Sequence, residues 1–156
     1  MVHSDKSLRL AILLLTTLSM SLFACDINLA LAEPSTPVSA AVGYEVFANR
    51  DWQDTGVKVM PGKTLTILYT SGSWSPWGGG SYDAIGSGGD PKCSCNVVMG
   101  VSHAALIGKI GDNAPFLVGN SFKQTIGETG DLFLRINDTQ LGDNSGSLMV
   151  EVILGP

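Results

Sequence analysis

The chain has 156 residues, 44% of them hydrophobic and only 15% charged, with a formal net charge of −5. An acidic chain without a run or stripe of Lys and Arg lacks the means to neutralise a phosphate backbone, which makes nucleic acid the poorest partner class. Its 19 glycines break every apolar period of 3.6 residues beyond the N-terminus, which argues against a helical bundle.

Residues 1–32 read as an export signal. Lys6 and Arg9 supply a positive leader, residues 10–24 an apolar run too short and too interrupted by Ser and Thr for a stable span, and Ala30-Leu31-Ala32 an A-x-A cleavage site before Glu33. A second reading stands beside it: Leu22-Phe23-Ala24-Cys25 has the form of a lipoprotein box, in which Cys25 is acylated. The first predicts a secreted or periplasmic protein, the second a lipid anchor at the cell envelope. Residues 33–43, rich in Pro, Ser and Ala, read as a linker, and 44–156 as one domain large enough for one hydrophobic core.

From Tyr44 the chain runs in short β-type segments, at 45–48, 56–59, 64–70, 105–110, 116–118, 131–136 and 146–154. Alternation is clear in three of them: Leu65, Ile67 and Tyr69 oppose Thr64 and Thr66; Leu132, Leu134 and Ile136 oppose Asp131 and Arg135; Leu148, Val150, Val152 and Leu154 oppose Glu151. One-sided strands separated by Gly, Asn, Asp and Pro bury their apolar faces as two packed antiparallel sheets, so an all-β sandwich is predicted. Met60-Pro61-Gly62-Lys63 places Pro and Gly at the centre of a type II turn and predicts a hairpin between the second and third strands.

The stretch 71–102 is too long for an idle connection in a compact domain. It carries Trp74, Trp77 and Tyr82 among glycines. Aromatic faces suit sugar rings; Trp74 reads better as core, while Trp77 and Tyr82 are open to either burial or exposure. Cys93 and Cys95, in C-x-C spacing, can bridge, hold a soft metal or stay free, and an oxidising compartment favours a loop-fixing disulfide. His103 reads as a strand-start residue, with a role as ligand or base as the rival.

Residues 136–147, Ile-Asn-Asp-Thr-Gln-Leu-Gly-Asp-Asn-Ser-Gly-Ser, concentrate oxygen donors between two strands. Calcium takes six to eight oxygens from carboxylates, amides, carbonyls and water, and Asp138, Asp143 and Asn144 supply part of such a set. The same residues also make a good β-turn whose side chains cap their own backbone, and both readings stand on composition alone. No EF-hand pattern is present, and zinc would want more His or Cys than His103 offers.

Several segments in fixed order carry a resemblance. They are Thr55-Gly56-Val57, Pro61-Gly62, Gly72-Ser73-Trp74, Ala105-Leu106-Ile107-Gly108-Lys109-Ile110-Gly111, Pro115-Phe116-Leu117-Val118-Gly119, Gly130-Asp131-Leu132-Phe133-Leu134-Arg135-Ile136-Asn137-Asp138 and Asp143-Asn144-Ser145-Gly146-Ser147. Together they resemble the PA-IL-like galactophilic lectin family across residues 46–153. The resemblance implies a galactose-binding-like jelly roll with one Ca2+ near its end, chelated by two adjacent hydroxyls of a galactose-type sugar. Matched by motif, Asp138 stands at the family's bidentate carboxylate, Asn144 at a side-chain amide ligand, and Trp77 where a tyrosine gives its backbone carbonyl. Asp143 replaces an asparagine, and Gln140 takes a carbonyl-ligand position in a loop shorter than the family's.

Sugar contacts are then expected from Asp138, Thr139 and Asp143. The family's sugar-contacting His and Gln are missing from the loop Gly89-Asp90-Pro91-Lys92-Cys93-Ser94-Cys95, where Asp90 or Lys92 is the candidate replacement. Neither a Gly-x-Ser-x-Gly elbow nor an H-E-x-x-H motif occurs, so a non-enzymatic, calcium-dependent carbohydrate-binding protein is expected, of a kind that gains from oligomeric avidity. Two other readings remain: an exported domain whose calcium only fastens loops, and a glycoside hydrolase using carboxylates such as Asp83 and Asp138.

Overall fold

In this computed structural model the described residues are 40–156, which lie in one compact unit spanning Thr36–Pro156. The export signal, the lipoprotein box at Cys25 and residues 33–39 of the expected linker lie outside the described residues.

Eight strands form: β1 (Ala41–Phe47), β2 (Gln53–Val59), β3 (Thr64–Ser75), β4 (Leu106–Ile110), β5 (Phe116–Leu117), β6 (Ser121–Thr125), β7 (Gly130–Ile136) and β8 (Ser145–Gly155). They pair antiparallel in two four-stranded sheets, ordered β1-β8-β3-β6 and β2-β7-β4-β5. That interleaving is a jelly roll, in which successive strands mostly cross between sheets. The predicted all-β sandwich therefore holds.

Two details depart from the sequence reading. Strand β1 begins at Ala41, inside the segment read as linker, because its outer end needs only backbone pairing with Val152 and Ile153 of β8. The expected hairpin between the second and third strands is absent: β2 pairs with β7 and β3 with β8 and β6, so residues 60–63 carry the chain from one sheet to the other. The turn itself is as read. Lys63 N–H donates to the Met60 carbonyl at 3.2 Å, and Gly62 has φ +83°, the value a type II turn requires.

The core fills the space between the sheets. Val46, Leu65, Ile67, Leu148, Val150 and Val152 face inward from one sheet, and Val59, Leu106, Ile110, Leu132, Leu134 and Ile136 from the other; all are essentially buried. Each such side chain contributes about 1.5–3 kcal/mol by leaving water, so alternation in the strands is what holds the sheets face to face. Trp74 closes one end of this core, fully buried, with Nε1 donating to the Ala104 carbonyl at 2.9 Å.

A candidate cation and ligand site at one end of the sandwich

Three connections meet at the end where Trp74 sits: 48–52 between β1 and β2, 76–105 between β3 and β4, and 137–144 between β7 and β8. Asn137 ties two of them together. It is fully buried; its Oδ1 accepts Val98 N–H at 2.8 Å and its Nδ2 reaches the carbonyls of Ser102, Val98 and Val101 at 3.1–3.3 Å. The backbones also pair, Asn137 N–H to Ala105 O and Ala104 N–H to Asn137 O. The next turn docks alongside, with Thr139 N–H and Oγ1 both donating to the Cys95 carbonyl, at 2.7 and 3.1 Å.

Asp138 follows Asn137 and is 2% exposed. Its Oδ1 accepts Gln140 N–H at 2.8 Å, while Oδ2 lies 3.9 Å from His103 Nε2, beyond hydrogen-bonding reach. His103 is held from its other side: Nδ1 lies 2.9 Å from Asn96 Oδ1, and Asn96 Nδ2 donates to the Asp90 carbonyl. Since that amide oxygen can only accept, Nδ1 carries the proton. Over the imidazole lies Trp77, parallel to within 3° at 5.7 Å and 40% exposed, with Tyr82 edge-on to Trp77 at 5.6 Å. Ala104, next in sequence, has φ +64°, a left-handed conformation that places the His103 carbonyl against Gly86, where a Cβ would come within 2.4 Å of it.

At the other end of the same connection, Asn144 is 6% exposed. Its Nδ2 donates to the Ala48 carbonyl at 3.2 Å, which fixes the amide orientation, and its buried Oδ1 has no hydrogen-bond partner. Arg135 is also buried, on the opposite face of β7 from Leu134. Its Nε donates to Ile136 O at 3.1 Å, its Nη2 to Asp138 O at 2.5 Å, and its Nη1 to Asp51. Burial pulls the guanidinium below its ordinary pKa, with Asp51 and then Asp138 opposing that shift.

The sequence-derived candidates thus fall into groups. Asp138 and Asn144 are both buried, one at each end of the β7–β8 connection. Asp143, Thr139 and Gln140 lie on its exposed rim. The Trp77 ring reaches the site through His103; its carbonyl already accepts Gly79 N–H at 2.7 Å and the Ser75 hydroxyl, so it would join a cation only by releasing one of them. Asp90 is exposed, its carboxylate closing a turn on Lys92 N–H, and its loop reaches the site through Asn96 and Cys95 instead. Cys93 and Cys95 are joined by a disulfide, so neither is a thiolate ligand. Among the described residues no three His, Cys, Asp or Glu side chains cluster, so a bound cation would rely on carboxylate, amide and carbonyl oxygens. Asn96, Asn137 and Arg135 were not singled out as site residues by sequence, while His103 was read as a strand start with a role as ligand or base as the rival.

The family model described as PA-IL-like protein matches residues 41–155. The chain belongs to the PA-IL-like family. The match agrees with the segments that carried the resemblance. Among solved structures, the PA-IL-like domain is similar to the EclA N-terminal domain, described as a PllA-like lectin, with a TM-score of 0.58 and 24% identity over 72% of this chain and 94% of that one. At that identity the likeness speaks for the fold. No curated protein matches the chain.

Proposed function

We propose that this chain is a carbohydrate-binding protein without catalytic activity, and that it holds its sugar through a calcium ion at the site described above. One observation carries the reading: Asn144 Oδ1 is buried, correctly oriented by Ala48 and without a partner, in the same short connection as the buried carboxylate Asp138. An unpaired buried carbonyl oxygen costs about 1–3 kcal/mol, a cost that a hard cation would remove.

Asp138 and Asn144 would hold the ion, with Asp143 and the Gln140 carbonyl on the rim and Trp77 O as a further donor. Calcium would supply open coordination positions for two neighbouring hydroxyls of a galactose-type sugar. The chain's own residues would orient that sugar. His103 Nε2 and Asp138 Oδ2 lie 3.9 Å apart, and a ligand hydroxyl would hydrogen-bond to one or the other. Thr139 Oγ1 donates to Cys95 O and keeps its lone pairs for a second hydroxyl. The exposed indole of Trp77, stacked on His103, offers an apolar face at that side of the site.

The test is a glycan array probed in millimolar calcium and again in chelator, with calorimetry of the metal alone. Retention of galactose-terminated glycans that chelator abolishes is the expected result. Calcium uptake and thermal stabilisation without retention of any glycan would leave a domain whose ion only fastens its loops. Glycan turnover would overturn the non-enzymatic reading.

A further inference from the structure

The β1–β2 connection, which contains no candidate ligand, touches both ends of the proposed cation site. Ala48 O fixes the Asn144 amide so that Oδ1 faces away from it, and Ala48 N–H donates to Gly146 O at 3.0 Å. Three residues on, Asp51 pairs with Arg135, whose guanidinium grips the carbonyls of Ile136 and Asp138. Those two carbonyls bracket the backbone that aims the Asp138 side chain. Trp52 packs over the guanidinium, its ring 5.4 Å away, and Asp51 Oδ1 also accepts Trp52 N–H at 2.8 Å, so the loop conformation and the ion pair support each other.

We infer that Asp51 and Arg135 are positioning residues for cation binding, a frame that sets Asp138 from behind while Ala48 sets Asn144 from the side. The inference rests on the calcium reading above. Its physical basis is the geometry of the fork: a planar guanidinium with three directed donors fixes two carbonyls and a carboxylate at once, which a lysine ammonium on a flexible stem does not do. Groups that hold metal ligands in place commonly change metal affinity about 10–100-fold when removed. The Asp51 side chain is 70% exposed, so its removal takes no packing out of the core and separates positioning from folding.

The experiment is calcium titration by calorimetry on the wild-type domain, Asp51→Asn and Arg135→Lys, with thermal melting of each in chelator. Wild type is expected to bind; Asp51→Asn and Arg135→Lys are each expected to bind about tenfold more weakly, with Asp51→Asn still melting cooperatively in chelator. Recovery of affinity in Asp51→Glu, which keeps the carboxylate, would mark the ion pair itself as the cause. Should Asp51→Asn fold and bind calcium as wild type does, the inference is overturned while the calcium reading stands. Should wild type take up no calcium, both fall together. If Arg135→Lys fails to fold, Asp51→Asn alone decides, because its exposed side chain carries no core packing.

Discussion

At the end of the sandwich where residues 60–63 and 126–130 turn, closure is a matter of backbone: Gly62 N–H to Ile126 O, Ile126 N–H to Lys63 O, and Gly111 N–H to Asp131 O, at 2.8–2.9 Å. At the opposite end the connections are longer and closed by side chains. Gln53, Ser75, Asn96, Arg135, Asn137, Asp138 and Asn144 are all buried there, and of the buried polar side chains among the described residues only Thr55 sits in the body of a sheet, satisfied by Leu132 O at 2.8 Å. Buried polar groups stabilise nothing by themselves and require partners. A fold that can close one end with glycine turns has no structural need for such a cluster at the other. The excess favours this end as the proposed binding end.

Asp138→Ala is expected to have the largest effect, abolishing calcium uptake up to millimolar concentration in calorimetry while the protein remains folded. The side chain accepts one hydrogen bond, from Gln140 N–H, with His103 and the Arg135 guanidinium as its other polar neighbours. Next comes Asn137→Ala. The Asn137 amide accepts Val98 N–H and shares its two N–H protons among the carbonyls of Val98, Val101 and Ser102, stapling residues 98–102 to the end of β7, and the loss is expected to cost about 3 kcal/mol in urea unfolding, since buried backbone groups are left without partners. Close behind is calcium itself: at about 100 times its dissociation constant it should add about 2.7 kcal/mol to the wild type and nothing to Asp138→Ala.

The same contrast governs what the sequence revealed. Strands whose inward residues alternate, such as β7 and β8, were legible because burial of one face imposes a period of two. Strand β6 was not, because Ser121–Thr125 is an edge strand with only Phe122 half-buried, held by pairing with β3 that leaves no hydrophobic signature. The turn at Pro61-Gly62 was read correctly as local chemistry, but which sheet the next strand joins depends on β7 and β8, more than sixty residues away. At the site, Asp138 and Asn144 stood out as oxygen donors in a turn. Arg135 looked like an ordinary outward residue, and His103 like a strand start, because their significance lies in partners, Asp51 and Asn96, that only the fold brings to them.

Gly62→Ala sharpens the comparison from the other end and has the smallest expected effect. At φ +83° an added Cβ meets no atom within 4 Å, so the only penalty is conformational, about 1 kcal/mol for an L-residue in the left-handed region. For a domain of this size that corresponds to a fall of about 4 °C in melting temperature. Calcium affinity should be unchanged, because the turn and the site lie at opposite ends of β2 and β7 and share no hydrogen bond. If Gly62→Ala weakened calcium binding in calorimetry, the two ends would be coupled through the sheets, and the separation between a closing end and a binding end would fail.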